Sequence, residues 1–175
     1  MKRPIGLMVL LALAAFTVVD RASSAQQNEQ AALAKALTGV NVSLKQGLRA
    51  SEAQGTPISA KFEVQDGKLQ LSVYTMKGDK FSEVIVDHTT GKIAKTEAIT
   101  SGKDFDAAKS QSAAMAKAKR SLREATGRAI QGNAGSRAAS VTPVLVTPAL
   151  KGDRPVAKIT LLQGQTFKTV SEPLQ

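Results

Sequence analysis

Residues 43–74 read SLKQGLRASEAQGTPISAKFEVQDGKLQLSVY, and the period of their apolar residues changes once, at Gly55. Before that point Leu44, Gly47, Leu48 and Ser51 recur at three- and four-residue spacing, which is one face of an α-helix. Ser43 and Gln46 have the S-x-x-Q spacing by which a helix start satisfies its own free amides, so the helix is expected to begin there. Gly55 and Pro57 end it, because glycine accepts left-handed backbone angles and proline cannot continue the turn. Beyond Gly55 the period is two. Ile58, Ala60, Phe62 and Val64 alternate with Ser59, Lys61 and Glu63; after a turn at residues 65–67 (QDG), Leu69, Leu71 and Val73 alternate with Gln70, Ser72 and Tyr74. This predicts a hairpin with one buried face and the preceding helix as its cover.

The pattern continues through a second turn, KGDK (77–80), into the run Phe81–Val86. The result is a three-stranded meander whose apolar side needs a lid. The run leads into SEVIVDHTTGKIAKTEAI (82–99), where the single histidine of the chain, His88, follows Asp87. Turn chemistry accounts for the surrounding residues: Asp87 and Thr90 are placed to hold backbone amides, and Gly91 supplies the positive φ of a tight reversal into Lys92 and Ile93. Metal binding by Asp87 and His88 is disfavoured, since adjacent strand residues point to opposite faces and no second histidine exists. Catalysis is disfavoured as well, because His88 is accompanied by no cysteine, no G-x-S-x-G turn and no H-E-x-x-H. The expectation is a protein that is not an enzyme, with no catalytic residue, no metal site and no cofactor.

Laying the two halves of the chain over each other shows matches in the same order. AALAKAL (31–37) resembles AAMAKAK (113–119), SLKQ (43–46) resembles SLRE (121–124), and KGDK (77–80) resembles KGDR (151–154). The pattern reads as a duplicated unit of about 75 residues. In the second unit a helix should start at Ser121, bury Leu122, Ala125, Thr126, Ala129 and Ile130, and end at GNAG (132–135). Residues 139–146, 156–162 and 166–170 supply its strands. Pro143 and Pro148 cannot donate to a ladder, so the strand holding them should be at an edge or carry a bulge. Between the units, TSGKDFDAAKSQSAAMAKAK (100–119) reads as a turn followed by a helix with Phe105, Ala108, Ser112 and Met115 on one face and Asp104 or Asp106 as its cap. The fold class is therefore α+β: two tandem units, 26–102 and 103–175, each a helix packed on a three-stranded antiparallel meander. Units this small lie near the lower limit for a core standing alone, which leaves a single fused domain as the alternative.

Residues 1–25 follow the grammar of a signal peptide, with Lys2 and Arg3, an apolar stretch from Ile5 to Val19, and a small-residue exit at Ala22–Ala25 (ASSA). The apolar stretch is short of the ~20 residues a membrane-spanning helix needs, so the mature chain should be periplasmic or secreted with no transmembrane segment. With no cysteine there are no disulfides, and the fold rests on packing. Aromatic residues make up only 3% of the chain, so the core must be built mostly from Ala, Val, Leu and Ile. Losing Lys2, Arg3, Arg21 and Asp20 with the signal peptide takes three basic charges and one acidic charge from the formal +10 and leaves +8. Much of this charge lies in residues 117–137, with Lys117, Lys119, Arg120, Arg123, Arg128 and Arg137 against Glu124 alone. Without interleaved aromatics or a nucleic-acid-binding module, a nucleic-acid partner is not expected. A solvated face, or one that meets an acidic protein or the anionic cell envelope, is.

The stretch from Val42 to Ile99 resembles a PepSY domain, whose repeat ends in a strand followed by V-D-x-x-T-G-K-[VI]. Val86, Asp87, Thr90, Gly91, Lys92 and Ile93 match that ending position by position. The second unit is similar in its helix, its GNAG break and its strand plan, with TLLQGQTFKTV (160–170) where the ending would be. The resemblance implies a helix on an antiparallel sheet, an exported or envelope location, and a role in restraining peptidases, with no catalytic residues to carry over. Two functions follow as expectations. One is a non-catalytic binding protein with a protein partner, inhibiting or modulating an envelope or secreted peptidase. The other is an adaptor whose basic face rests on anionic envelope components. The sequence selects no partner-contacting residue for either.

Overall fold

A computed structural model describes residues 18–134 and 141–175, with side chains from residue 26 onward. The chain runs α1 (Val18–Ala36), a 3-10 turn (Leu37–Gly39), α2 (Leu44–Ser51), β1 (Thr56–Gln65), β2 (Lys68–Lys77), β3 (Lys80–Val86) and β4 (Ile93–Ile99). It continues with α3 (Gly102–Ala116), α4 (Leu122–Asn133), β5 (Val141–Lys151), β6 (Arg154–Gln163) and β7 (Thr166–Pro173). All seven strands form one antiparallel sheet in the order β4-β3-β2-β1-β5-β6-β7. The fold is α+β. Most of the expected signal peptide lies outside the described residues; the backbone of α1 passes through 22–25, the expected exit site. Among the described residues no helix is long and apolar enough to cross a membrane.

The two short helices start as their sequences predict. In α2 the Ser43 hydroxyl accepts from Gln46 N while Gln46 Oε1 accepts from Ser43 N at 2.8 Å; in α4, Ser121 and Glu124 repeat the arrangement. Each helix buries the face its spacing defines: Leu44, Gly47, Leu48 and Ser51 in α2, and Leu122, Ala125, Thr126 and Ala129 in α4, where Ile130 is only half-buried. Both faces enter one apolar cluster with Leu71, Val73 and Val84 from the first half and Val146, Ile159 and Leu161 from the second. Gly47 marks the closest approach, since a Cβ there would come within 2.6 Å of Leu71 Cδ2.

The other side of the sheet carries a smaller cluster. Tyr74 and Met76 alternate with Val73 and so project from the opposite face, where they meet Ile58, Phe81 and the α3 residues Phe105 and Ala108. The rings of Phe81 and Phe105 pack edge to face at 5.7 Å. Ser59 Oγ also donates to Gln111 Oε1 of α3 at 2.9 Å.

Three expectations are corrected. First, the unit is not a three-stranded meander in the first half: the VDHTTGK turn returns the chain into a fourth strand, β4, paired with β3 from Phe81↔Ile99 to Val86↔Ile93. Second, each half does not close its own sheet. β1 and β5 pair antiparallel through Ala60↔Val146 and Lys61↔Leu145, which places the proline-containing strand β5 in the interior of the sheet rather than at an edge. It tolerates its prolines because that pairing is two residues long and Pro143 and Pro148 flank it, while the register shift between Pro143 and Leu145 supplies the expected bulge. Third, KGDK and KGDR are not equivalent positions. The β2–β3 turn at Gly78 corresponds to the β6–β7 turn at Gly164, and the KGDR turn corresponds to QDGK (65–68) between β1 and β2. From the bulges at Pro57 and Pro143 onward the two halves run at a constant spacing of 86 residues, wider than at the helices because α4 is longer than α2 and residues 134–140 intervene.

Candidate functional site

Three surfaces carry the residues that the sequence singles out or that the fold leaves without a structural partner. The first is the V-D-x-x-T-G-K turn. Val86 ends β3 buried in the main core. Asp87 then closes the turn with its backbone and side chain together: its Oδ1 accepts from Thr89 N at 2.9 Å and Thr90 N at 2.7 Å, its N–H donates to Lys92 O, and its carbonyl accepts from Gly91 N at 2.8 Å. Those donated amides hold the Asp87 carboxyl below its ordinary value of 3.8, Thr90 N contributing most. Thr90 Oγ1 accepts from Lys92 N, and Gly91 has φ 75°.

The turn also fastens the start of α2. The His88 carbonyl accepts from Asn41 N and Val42 N at 3.2 and 3.1 Å, and a Cβ at Gly91 would stand 3.6 Å from Val42 Cγ2. The imidazole faces an open depression of about 490 Å³ lined by Asp66, Lys68, Gln70 and Asp87, and its Nδ1 is buried without a hydrogen-bond partner. Val86, Asp87, Thr90, Gly91 and Lys92 thus come together as one hydrogen-bonded corner.

The second surface is the strand that follows this corner. β4 is the outer strand of the sheet, and Ile93 to Ala98 are exposed throughout; Ile99 alone is half-buried. Lys95 and Glu97 pair at 2.7 Å on one face of it. The opposite edge, β7, is better sheltered: Leu174 beyond it is fully buried, its N–H donates to Pro155 O, and its carbonyl accepts from Lys119 N and Arg120 N. Lys168 of β7 reaches Asn133 Oδ1 at the end of α4.

The third surface is basic. The 117–137 cluster is divided by the fold: Lys117 pairs with Asp153 at 3.0 Å, Arg123 pairs with Glu52 at 3.2 Å, and Arg137 lies outside the described residues. Arg120, Arg123 and Arg128 line a groove of about 400 Å³ together with Lys45 of α2. Nothing in the sequence connects Lys45 to this cluster, since the contact depends on α2 and α4 lying side by side.

A smaller cleft of about 150 Å³ lies between α3 and the sheet, where Lys61 holds Glu63 at 2.7 Å beside Tyr74. Burial pushes the Tyr74 phenol up, partly offset by Lys61.

Comparison with models of protein families, with curated proteins and with solved structures finds no match for this chain.

Proposed function

We propose that this chain is an exported, PepSY-like binding protein with no bond-breaking machinery of its own, built from two divergent copies of one helix-and-meander unit. It takes a protein partner, and an envelope or secreted peptidase is the partner class that the resemblance of residues 42–99 implies. The observation that carries the reading is β4, a seven-residue edge strand exposed from Ile93 to Ala98, with its outer backbone groups unpaired within the sheet. An extended segment of a partner can add to such an edge, main-chain hydrogen bonds supplying affinity and the flanking side chains selectivity. Lys95 is held by Glu97 within the strand, so Lys92 is the charge beside this edge that has no carboxylate partner among the described residues.

In this reading the V-D-x-x-T-G-K corner is a mount. It fixes where β4 leaves β3 and ties that point to the start of α2. The test is turnover of envelope and secreted peptidases titrated with the purified protein to micromolar concentration. The proposal expects a saturable fall in turnover for at least one of them, and unchanged turnover across the panel rejects the peptidase as partner.

A further inference from the structure

The groove between α2 and α4 concentrates positive charge that the fold neutralises only in part. Its cations are Lys45, Arg120, Arg123 and Arg128, and its one carboxylate is Glu124. That carboxylate is committed elsewhere, accepting from Ser121 N at 2.8 Å and from the Ser121 hydroxyl at 2.9 Å as the capping partner of α4. Arg123 holds Glu52, while Lys45 and Arg128 have no carboxylate partner among the described residues. Cations with no internal counter-charge, converging on a concave site, attract an anion.

A second observation concerns Gly127, an interior residue of α4 that lines the same groove. Glycine in a helix interior is unfavourable relative to alanine. Here its missing side chain leaves room for Lys45: a Cβ at position 127 would stand 3.2 Å from Lys45 Nζ. The lysine is half-buried and lies over the helix backbone, with its ammonium at the groove.

The lining also says what kind of anion fits. It contains no large apolar side chain, and the exposed large apolar residues Val64, Ile93, Leu145 and Leu150 are all on strands. Nothing here inserts into a bilayer, whereas guanidinium forks beside a point-charge ammonium suit the oxygens of phosphoryl groups. We propose that the α2–α4 groove binds a discrete ligand bearing two or more phosphate charges, with Lys45 and Arg128 on its oxygens and Arg120 and Arg123 contributing field. This surface is separate from β4, so the inference does not rest on the peptidase reading.

Calorimetric titration of the purified protein with inorganic pyrophosphate and with tripolyphosphate tests it, with vesicles containing phosphatidylglycerol as a parallel arm. Saturable one-to-one binding is expected. Lys45→Gln and Arg128→Gln should each weaken it about tenfold, the scale of one charge-assisted hydrogen bond. Lys158→Gln removes the same charge from the exposed face of β6 and should change it less than about twofold. Gly127→Ala should raise Tm through helix propensity and weaken binding less than Lys45→Gln, because Lys45 Nζ at 3.2 Å need shift only slightly. Absence of saturable binding overturns the proposal, as does equal weakening by Lys158→Gln and Lys45→Gln. Retention on vesicles without pyrophosphate binding also overturns it, by assigning the surface to a bilayer.

Discussion

At Asp87 one carboxylate organises a whole reversal, and its protonation state is coupled to folding. Because its folded-state pKa is lowered by the Thr90 and Thr89 amides, the stability it contributes is present in full above its ordinary value of 3.8 and is lost as pH falls through the lower folded value. Glu124 behaves in the same way, held below its ordinary 4.5 chiefly by the Ser121 N–H. Asp87→Ala should therefore lower Tm at neutral pH, and the difference from the unsubstituted protein should shrink on acidification below about pH 4. A Tm difference that stays constant down to pH 2 would contradict this account. The roles of Asp87, Thr90 and Gly91 were legible in the sequence because turn chemistry is local. The role of His88 was not, because it acts through its carbonyl on Asn41 and Val42, and no side-chain pattern records a backbone acceptor.

Helices α2 and α4 read correctly because capping boxes and a 3.6-residue period are written within a few residues; in α3 the expected cap was wrong, since Ser101 is the N-cap residue and Asp104 and Asp106 lie inside the helix. Ser43→Ala and Ser121→Ala should each cost about 1 kcal/mol, measured by denaturant unfolding. Gly47→Ala sets two effects against each other. Helix propensity gains at most ~1 kcal/mol, while a methyl within 2.6 Å of Leu71 Cδ2 overpacks the core at a cost of ~1–3 kcal/mol. The substitution should therefore destabilise, in contrast to Gly127→Ala on the open side of α4. Six of the seven strands read correctly one by one, but β4 was not expected as a fourth strand and the grouping was wrong. KGDK and KGDR look alike because both are two-residue hairpin turns, a setting that selects Gly and Asp whatever the ancestry. The interior place of β5 was hidden because it depends on a two-residue pairing with β1, some 85 positions away in the chain.

At the scale of the whole molecule, the main core is shared by both halves. Leu48 and Leu122 are fully buried in the same cluster although they belong to different halves, and β1 and β5 continue one sheet. Thermal unfolding should follow one transition by every probe, and Leu122→Ala, costing ~2–5 kcal/mol, should loosen the first-half strands β2 and β3 as much as β5 and β6. Two separated transitions, or a loss of protection confined to the second half, would contradict a shared core. Basic charge was visible in the sequence as a run. The fold resolves it into two ion pairs and a groove, a division that only the juxtaposition of α2 and α4 makes.

Of the two outer strands, β4 is the more exposed, with Ile93 to Ala98 open, and the functional reading depends on it. Amide hydrogen exchange of the protein, alone and with a peptidase it restrains, measures this directly. The account predicts new protection across residues 93–99 in the complex. Protection confined to the helix layer, with β4 exchanging as fast as in the free protein, would contradict it.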